Sequence, residues 1–383
     1  MSSKRKRQDR DEYDRCGGVK TAPAPEKRRK HLYLMLDDRD NAYRMHKIDV
    51  DALADSEEDD MLLLPEPALL QFGTDRHSGM CFFALGSSIF ATRPPHTPAL
   101  VYDTDTGGLT VGPPLPNKLC GGPNITMAMA DNKTMYALYD YDTNYLNPHP
   151  MEAMSWEAVP CTERHLPRVK EWTWKSVPSQ PPYGRLDEIV SYAVHPDQRT
   201  FFVSVKEAFC SRRDGGNKGT FSFDTKHCEW RWHGDWMLPF ERQGYYDAEL
   251  DAWVGLRLTD GRVCACRVAS RSSSAPPEWK LLQEKLFCKD PQERQLMALS
   301  GIRPSLAYMQ GSGRFCLLEC VLREGVDWKH AFGDDAHGCL LRLTIFGLKY
   351  DHQGELHTSI HRTNASYIVS KHNSSFSPVA FWM

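Results

Sequence analysis

Residues 189–240 constrain this chain more than any other stretch. They read IVSYAVH, PDQ, RTFFVSV, a polar loop, GTFSFD, TKHC and EWRWHGDW, and they close at Leu238-Pro239. Each apolar or alternating run is short and bounded by turn residues, and no helical period links one run to the next. The pattern predicts four antiparallel strands in series.

The grouping recurs along the chain. HLYLML and AYRMHKID predict a hairpin around DDRDN, followed by an acidic loop at residues 55–60 and a strand-like MLLLPEP, a first unit of three strands. A second unit begins at ALLQF and continues through CFFALG, IFAT, ALVYD and LTVGPPLP. A third runs through NITMAMA, TMYALYD, MEAMSW, a long polar insert and WTWKSVP. After residue 240 come GYYDAEL, DAWVGLRL, GRVCACRV and EWKLLQEKLF, then PSLAYMQ, RFCLLECVL, CLLRLTIFGL and ELHTSIHRT. Tight turns at Gly86-Ser87, Asp131-Asn132, Pro196-Asp197 and Ser312-Gly313 have hairpin chemistry. Third strands end in Asp at Asp49, Asp103 and Asp224, and fourth strands stop at Leu64-Pro65, Leu115-Pro116, Val177-Pro178 and Leu238-Pro239, where proline ends a ladder.

Four-stranded units in series are the blades of a β-propeller, and the count is six, with five or seven as alternatives. The first unit lacks a strand, and SYIVSK at residues 366–371 is the expected C-terminal strand that completes it, so that no edge is left exposed. An F-box reading of residues 61–72 is rejected. It needs amphipathic helices where the flanks read as strands, and Pro67 stands where a helix should continue.

Charge divides the chain unevenly. Residues 1–30 hold 11 Lys/Arg against 5 Asp/Glu, whereas the other 353 hold 36 against 45. The first thirty lack apolar periodicity and are expected to be a disordered basic tail, with residues 31–383 forming the propeller. Two clusters, Lys4, Arg5, Lys6 and Arg7, and Lys27, Arg28, Arg29 and Lys30, suit the acidic grooves of import receptors, which predicts a nuclear or cytoplasmic protein. No apolar run has the length of a membrane span and no leader follows the basic residues, so no membrane association is expected. The 12 cysteines are then expected to be thiols and the sequons at Asn124, Asn132, Asn364 and Asn373 unmodified.

The hairpins with Asp-x5-Trp/Leu spacing and a closing Leu-Pro resemble the Kelch-type propeller, without most of its Gly-Gly doublets. HLYL at residue 31, MEAMSW ending at Trp156, WTW at residues 172–174, and AELDAWVGL with Cys264-Ala-Cys266 resemble a family of uncharacterised propeller-like proteins expanded in cereal grasses. The resemblance covers nearly all of the chain after the tail. It implies a fold and supplies no catalytic residues; Arg267 stands where an acidic residue is expected.

Candidate chemistry is sparse. Cys264 and Cys266 share a strand face roughly 6.5–7 Å apart, about twice the spacing a shared metal needs, and they read as small hydrophobes, as do Cys316 and Cys320. His357 and His361 would lie roughly 13 Å apart in a strand. The carboxylate pairs Asp37-Asp38 and Asp334-Asp335 read as solvated loop residues. No HExxH, GxSxG or phosphate-cradling loop occurs. Trp156, Trp172, Trp174, Trp230, Trp232, Trp253 and Trp279 are expected to wedge between blades, with an aromatic sugar or peptide platform as the alternative.

No catalytic residue, cofactor or metal is therefore expected. The expected function is a non-catalytic, monomeric scaffold that binds another protein through propeller loops at residues 159–171, 211–219, 270–277 and 322–338. The alternatives are an F-box-less substrate-recruiting subunit of a ubiquitin ligase, or an enzyme or carbohydrate binder at the channel mouth. Nucleic acid is disfavoured by the acidic body.

Overall fold

The computed structural model describes residues 29–38, 42–55, 61–73, 79–93, 97–119, 125–128, 133–138, 151–158, 170–184, 187–207, 216–289, 302–326, 338–359, 363–369 and 376–383. The chain divides into Met1–Lys30 and His31–Met383. Of the first unit only Arg29 and Lys30 are described, both exposed. The other tail positions (Lys4, Arg5, Lys6, Arg7, Lys27 and Arg28) lie outside the described residues.

His31–Met383 is all β. Two short 3-10 turns are its only helical elements among the described residues. In chain order, β1 (Leu32–Asp38), β2 (Ala42–Ile48) and, after the two-residue β3 (Met61–Leu62), β4 (Leu70–Gly73) make unit I. Unit II is β5 (Cys81–Leu85), β6 (Ser88–Thr92), β7 (Ala99–Asp103) and β8 (Leu109–Gly112). Unit III is β9 (Ile125–Ala128), β10 (Thr134–Leu138), β11 (Met151–Ala158) and β12 (Lys170–Ser176). Unit IV is β13 (Asp187–Val194), β14 (Thr200–Glu207), β15 (Asn217–Asp224) and β16 (Glu229–Gly234). Unit V is β17 (Glu241–Asp247), β18 (Ala252–Arg257), β19 (Arg262–Arg267) and β20 (Trp279–Leu281). Unit VI holds β21 (Ser305–Met309), β22 (Arg314–Leu322), β23 (Cys339–Tyr350), the short β24 (Leu356–Thr358) and β25 (Thr363–Val369); β26 (Val379–Trp382) then pairs with β1. Strands within a unit pair antiparallel, and units IV and V merge into one eight-stranded sheet through a parallel pairing of β13 with β17. Among the described residues no sheet closes on itself.

Burial explains the sequence pattern. β13 alternates buried and half-buried positions along its whole length, as a strand with one covered face should. β14 and β22 are buried on both faces, so TFFVSV and FCLLECV read as nearly continuous apolar runs. The cover comes from the neighbouring units. One apolar cluster joins units I and II (Met35, Tyr43, Ile89), one II and III (Phe83, Phe90, Met154), and one III and IV (Met151, Phe201, Phe223). Others join IV and V (Phe202, Phe240, Trp253), V and VI (Val254, Phe315, Phe346), and VI and I (Leu34, Leu318, Leu341). The six shared cores thus follow chain order and return from the last unit to the first.

Aspartate at the end of a strand has a local cause. Asp103 Oδ1 accepts the N–H groups of Asp105 and Thr106, both at 2.9 Å; Asp224 does the same for Lys226 and His227, Asp247 for Glu249 and Leu250, and Asp351 for Gln353 and Glu355. Each side chain satisfies the donors of a turn that has left the ladder. Burial opposes the charge of Asp103, but these donors and the Ser87 hydroxyl outweigh it and hold the carboxyl below its usual range. Glycine is required at 219, where φ is +102° and an added Cβ would stand 2.0 Å from the Gly234 carbonyl oxygen, beside a bulge of β15 against β14.

Several expectations need correction. MLLL does not complete the first unit: β3 adds parallel to β25 in the sheet of unit VI, and ALLQF supplies the outer strand of unit I through β4. SYIVSK is not the strand added to unit I. It lies in β25, which pairs with β23 over seven residues, and ELHTSIHRT gives only the three-residue β24. The twelve-residue β23 is long enough to seat both in succession, and alternation cannot say which edge a strand will choose. The strand that joins unit I is VAFW, as β26. Asp37 is not a solvated loop residue; it is buried within β1 opposite Tyr43. The Asp131-Asn132 turn and Asp334-Asp335 lie outside the described residues.

Candidate interaction surface

The tryptophans divide into two groups. Trp253 is fully buried and its indole N–H donates to the Val194 carbonyl at 2.8 Å, tying unit V to unit IV. Trp230 stands edge-on to Tyr183 and Phe201, and Trp172 and Trp174 meet Phe90 and Phe83 edge-on across the boundary of units II and III. These fill the gaps between units, as flat rings at a widening boundary should.

Trp156, Trp232 and Trp279 do not. They remain 47%, 53% and 43% exposed, on β11, β16 and β20. Leu109 and Val111 on β8 are likewise exposed. Trp156 is the direct cross-strand partner of Trp172, with ring centroids 4.9 Å apart, so a solvent-facing indole is seated on one anchored in the core. The pair stands two residues below the ends of β11 and β12, where the chain leaves for the 159–169 insert. A Lys175–Glu157 ion pair and a Ser155 hydroxyl bond to Glu157 (2.6 Å) lie beside it, and the Glu157 carboxyl is held below its usual range by those donors. The Arg257 guanidinium sits 5.3 Å from the Trp279 ring.

The serine-rich loop at 270–277 is pinned. It crosses from unit V onto β16 of unit IV, where Arg231 donates to the Ser272 carbonyl (2.7 Å), His233 Nδ1–H to the Ser273 carbonyl (2.8 Å) and Trp236 to the Ser274 carbonyl (3.0 Å). With Nδ1 donating, His233 Nε2 accepts the Ser222 hydroxyl at 2.8 Å. His233 is fully buried, and desolvation holds its imidazole below the ordinary range. Beside it Ser204 and Thr220 share a hydrogen bond of 2.8 Å, Thr220 donates to the Trp236 carbonyl and the Leu238 N–H donates to Ser204. Arg271, on the loop itself, reaches Asp197 at 3.2 Å. Composition alone hid this anchoring; the only sequence signal was the histidine and tryptophan of WRWHGDW standing where an outer strand should be polar.

The other candidate loops are only partly described: 216–219 enters β15, 170–171 lies in β12, and of 322–338 residues 327–337 fall outside. Cys264 and Cys266 are buried together in the core shared by units IV and V, and Cys316 and Cys320 in that of VI and I. Burial pushes the Cys266 and Cys316 thiols up to about 12. His357 Nε2 meets Asp351 at 3.1 Å, and His361 lies outside the described residues. Among the described residues no three His, Cys, Asp or Glu side chains are grouped so as to hold a metal ion, and no helix is long and apolar enough to cross a membrane.

Residues 29–367 match the model of a family described as proteins of unknown function, DUF1668. The chain belongs to the DUF1668 family. No curated protein matches it. Among solved structures, this DUF1668 chain is similar to a Bacteroides thetaiotaomicron protein of unknown function, at 10% identity and TM-score 0.40 over 86% of this chain and 64% of that one. It is also similar to a chain of a nidogen/laminin complex (9%, TM-score 0.42, 90% of this chain and 100% of that one) and to the β-propeller domain of Myceliophteria thermophila Cps50 (Swd1) (8%, TM-score 0.34, 74% and 88%).

Proposed function

We propose that this DUF1668 protein is a non-catalytic interaction scaffold, a six-bladed Kelch-like propeller that binds another protein through the loop-bearing ends of its blades. Six sheet units whose cores are shared in cyclic order, with a C-terminal strand paired to β1, support the ring. The observation that carries the binding role is Trp156, nearly half exposed and seated on Trp172 at the base of the 159–169 insert. An aromatic ring held rigid by packing and left in water loses little freedom on binding, which is why tryptophan dominates the energetic centres of protein interfaces. The basic clusters of residues 1–30 would direct the scaffold to the nucleus.

The test is proximity labelling in cells with three proteins: the full chain, one lacking residues 1–30, and Trp156→Ala. A defined partner set that is nuclear for the full chain, moves to the cytoplasm without the tail and is depleted in Trp156→Ala is the expected result; ligase components in that set would narrow the role to substrate recruitment. Absence of any enriched protein would overturn the scaffold reading.

A further inference from the structure

The loop at 270–277 is held to unit IV by polar contacts rather than by packing. It reads SRSSSAPP, and every residue in it is exposed except the half-buried Ser273 and Pro277. Its ties across the boundary are the three carbonyls taken by Arg231, His233 and Trp236, and the Arg271–Asp197 ion pair. A segment with few buried apolar contacts opens locally at far lower cost than the sheets beneath it.

Two of those four ties run through a neutral histidine. His233 gives its one ring proton to the Ser273 carbonyl, and its Nε2 must then stay bare to receive the Ser222 hydroxyl. His195 is the counterpart at the other tie. Its Nδ1 accepts the Asp197 N–H at 3.1 Å and lies 3.1 Å from Oδ1 of the same residue, whose carboxylate is the one Arg271 reaches. A proton on that nitrogen would leave the Asp197 N–H without its acceptor. It would also turn the imidazolium onto the carboxylate that holds the loop.

His233 has no counter-ion for a positive charge. Among the described residues its contacts are Ser222 on β15, the Ser273 carbonyl, and the rings of Phe202 on β14 (5.0 Å) and Trp236 (6.5 Å). The charged neighbour on its own strand is Arg231, which opposes protonation, and Asp235 is exposed. Behind Phe202, the Cys264 and Cys266 thiols of β19 are kept neutral by burial. His195 faces Asp197, with Arg199 and Arg271 sharing that carboxylate, and the rings of Phe202 and Trp253. Desolvation lowers the pKa of both histidines in the closed arrangement. The opened, hydrated state therefore binds the proton first, and falling pH favours opening. For His233 the loop side is the one that can yield, because Ser222 belongs to a strand paired on both edges.

We propose that loop 270–277 is a pH-sensitive strap, closed across units IV and V while His233 and His195 are neutral and released when either takes up a proton. It regulates the shape of one loop-bearing end and does not depend on whether Trp156 binds a partner.

Hydrogen–deuterium exchange of the full chain, read by mass spectrometry at pH 7.5 and 5.5 and corrected for the intrinsic pH dependence of exchange, tests it. A hydrated imidazole titrates near about pH 6.5, so one histidine raises the opened population by up to about tenfold over that interval. A peptide covering residues 268–279 is expected to exchange severalfold faster at pH 5.5, while one from β14 keeps its protection. In His233→Gln, whose amide does not titrate, the rise should shrink to the part that His195 supplies. Exchange of the loop that does not change with pH would overturn the proposal, and so would an equal rise in the β14 peptide, which would mean global unfolding. Both outcomes are read on the parent protein, whether or not the variant folds. An undiminished rise in a folded His233→Gln would also overturn it, since His233 would not be the group that senses the proton.

Discussion

Phe240 offers a quantitative test of how units IV and V are locked together. The ring is 2% exposed and lies across two glycines: a Cβ added at Gly255 would stand 2.4 Å from its Cγ, and one added at Gly244 would stand 2.4 Å from its Cζ. Carbon atoms in good contact are about 3.5–4.0 Å apart, so either methyl overlaps the ring by about 1 Å or more. Retreat is blocked by Leu238, Trp253 and Cys264 in the same cluster. Gly244→Ala, whose methyl would meet ring atoms only, is therefore expected to cost about 2–3 kcal/mol, the upper part of the range for overpacking. Phe240→Ala alone is expected to cost about 3–5 kcal/mol through the lost ring and its cavity. In the Phe240→Ala background the alanine at 244 enters that cavity, because every atom its methyl would meet belongs to the lost ring, and its cost should fall to a few tenths of a kcal/mol or turn favourable, since alanine also restricts the unfolded chain. The coupling between the two sites is then about 2 kcal/mol or more, measured as urea midpoints and slopes by tryptophan fluorescence on all four proteins of the cycle. Equal costs for Gly244→Ala in the two backgrounds would refute the reasoning, because the ring would not be what the methyl meets.

Two further outcomes follow from buried polar groups. His233 has a pKa lowered by desolvation, so below about pH 6.5 the unfolded chain binds the proton first; its contribution to stability is complete above that pH and declines as pH falls toward the folded pKa. Tm measured from pH 7.5 to 5 should fall less steeply in His233→Gln than in the parent, with His195, lowered chiefly by its own burial, supplying part of the remaining slope; identical slopes would exclude His233 as a contributor. Glu319, almost fully buried, accepts the Cys288 N–H at 2.7 Å and meets Arg342 at 3.3 Å. Glu319→Ala is expected to lower stability by about 2–3 kcal/mol in urea unfolding and Glu319→Gln by less, because the amide oxygen still serves the N–H; equal losses would place the interaction with Arg342 alone.

Much of the fold was legible because a strand covered on both faces must be apolar and one covered on a single face must alternate. RTFFVSV and RFCLLECVL announced middle strands, and IVSYAVH announced a first strand, before any contact was known. The terminal aspartates were legible for a local reason, since their carboxylates serve N–H groups two and three residues on. What failed was the assignment of strands to edges. MLLL and SYIVSK have the right alternation for either of two sheets, and the choice between them is set by the length of β23 and by which edge is vacant, neither of which is a property of the segment. VAFW was missed for a similar reason: four residues carry too little pattern to stand out, yet β26 pairs along its whole length with β1.

Function was less legible because the informative residues are those that break the pattern. Trp156 and Trp172 read as core because tryptophan usually is, and only the cross-strand register shows that one of them shields the other and is left outside. Arg242 sits in ERQGYYD, a segment whose polar start suggests a loop. Its place beside β13 goes with a bulge opposite Gly255, and both Gly255 and Gly244, at the end of that bulge, lie against the Phe240 ring. The packing that joins units IV and V and the left-handed backbone at Arg242 therefore meet at one place in the sheet, and neither is visible in the local pattern of the segment.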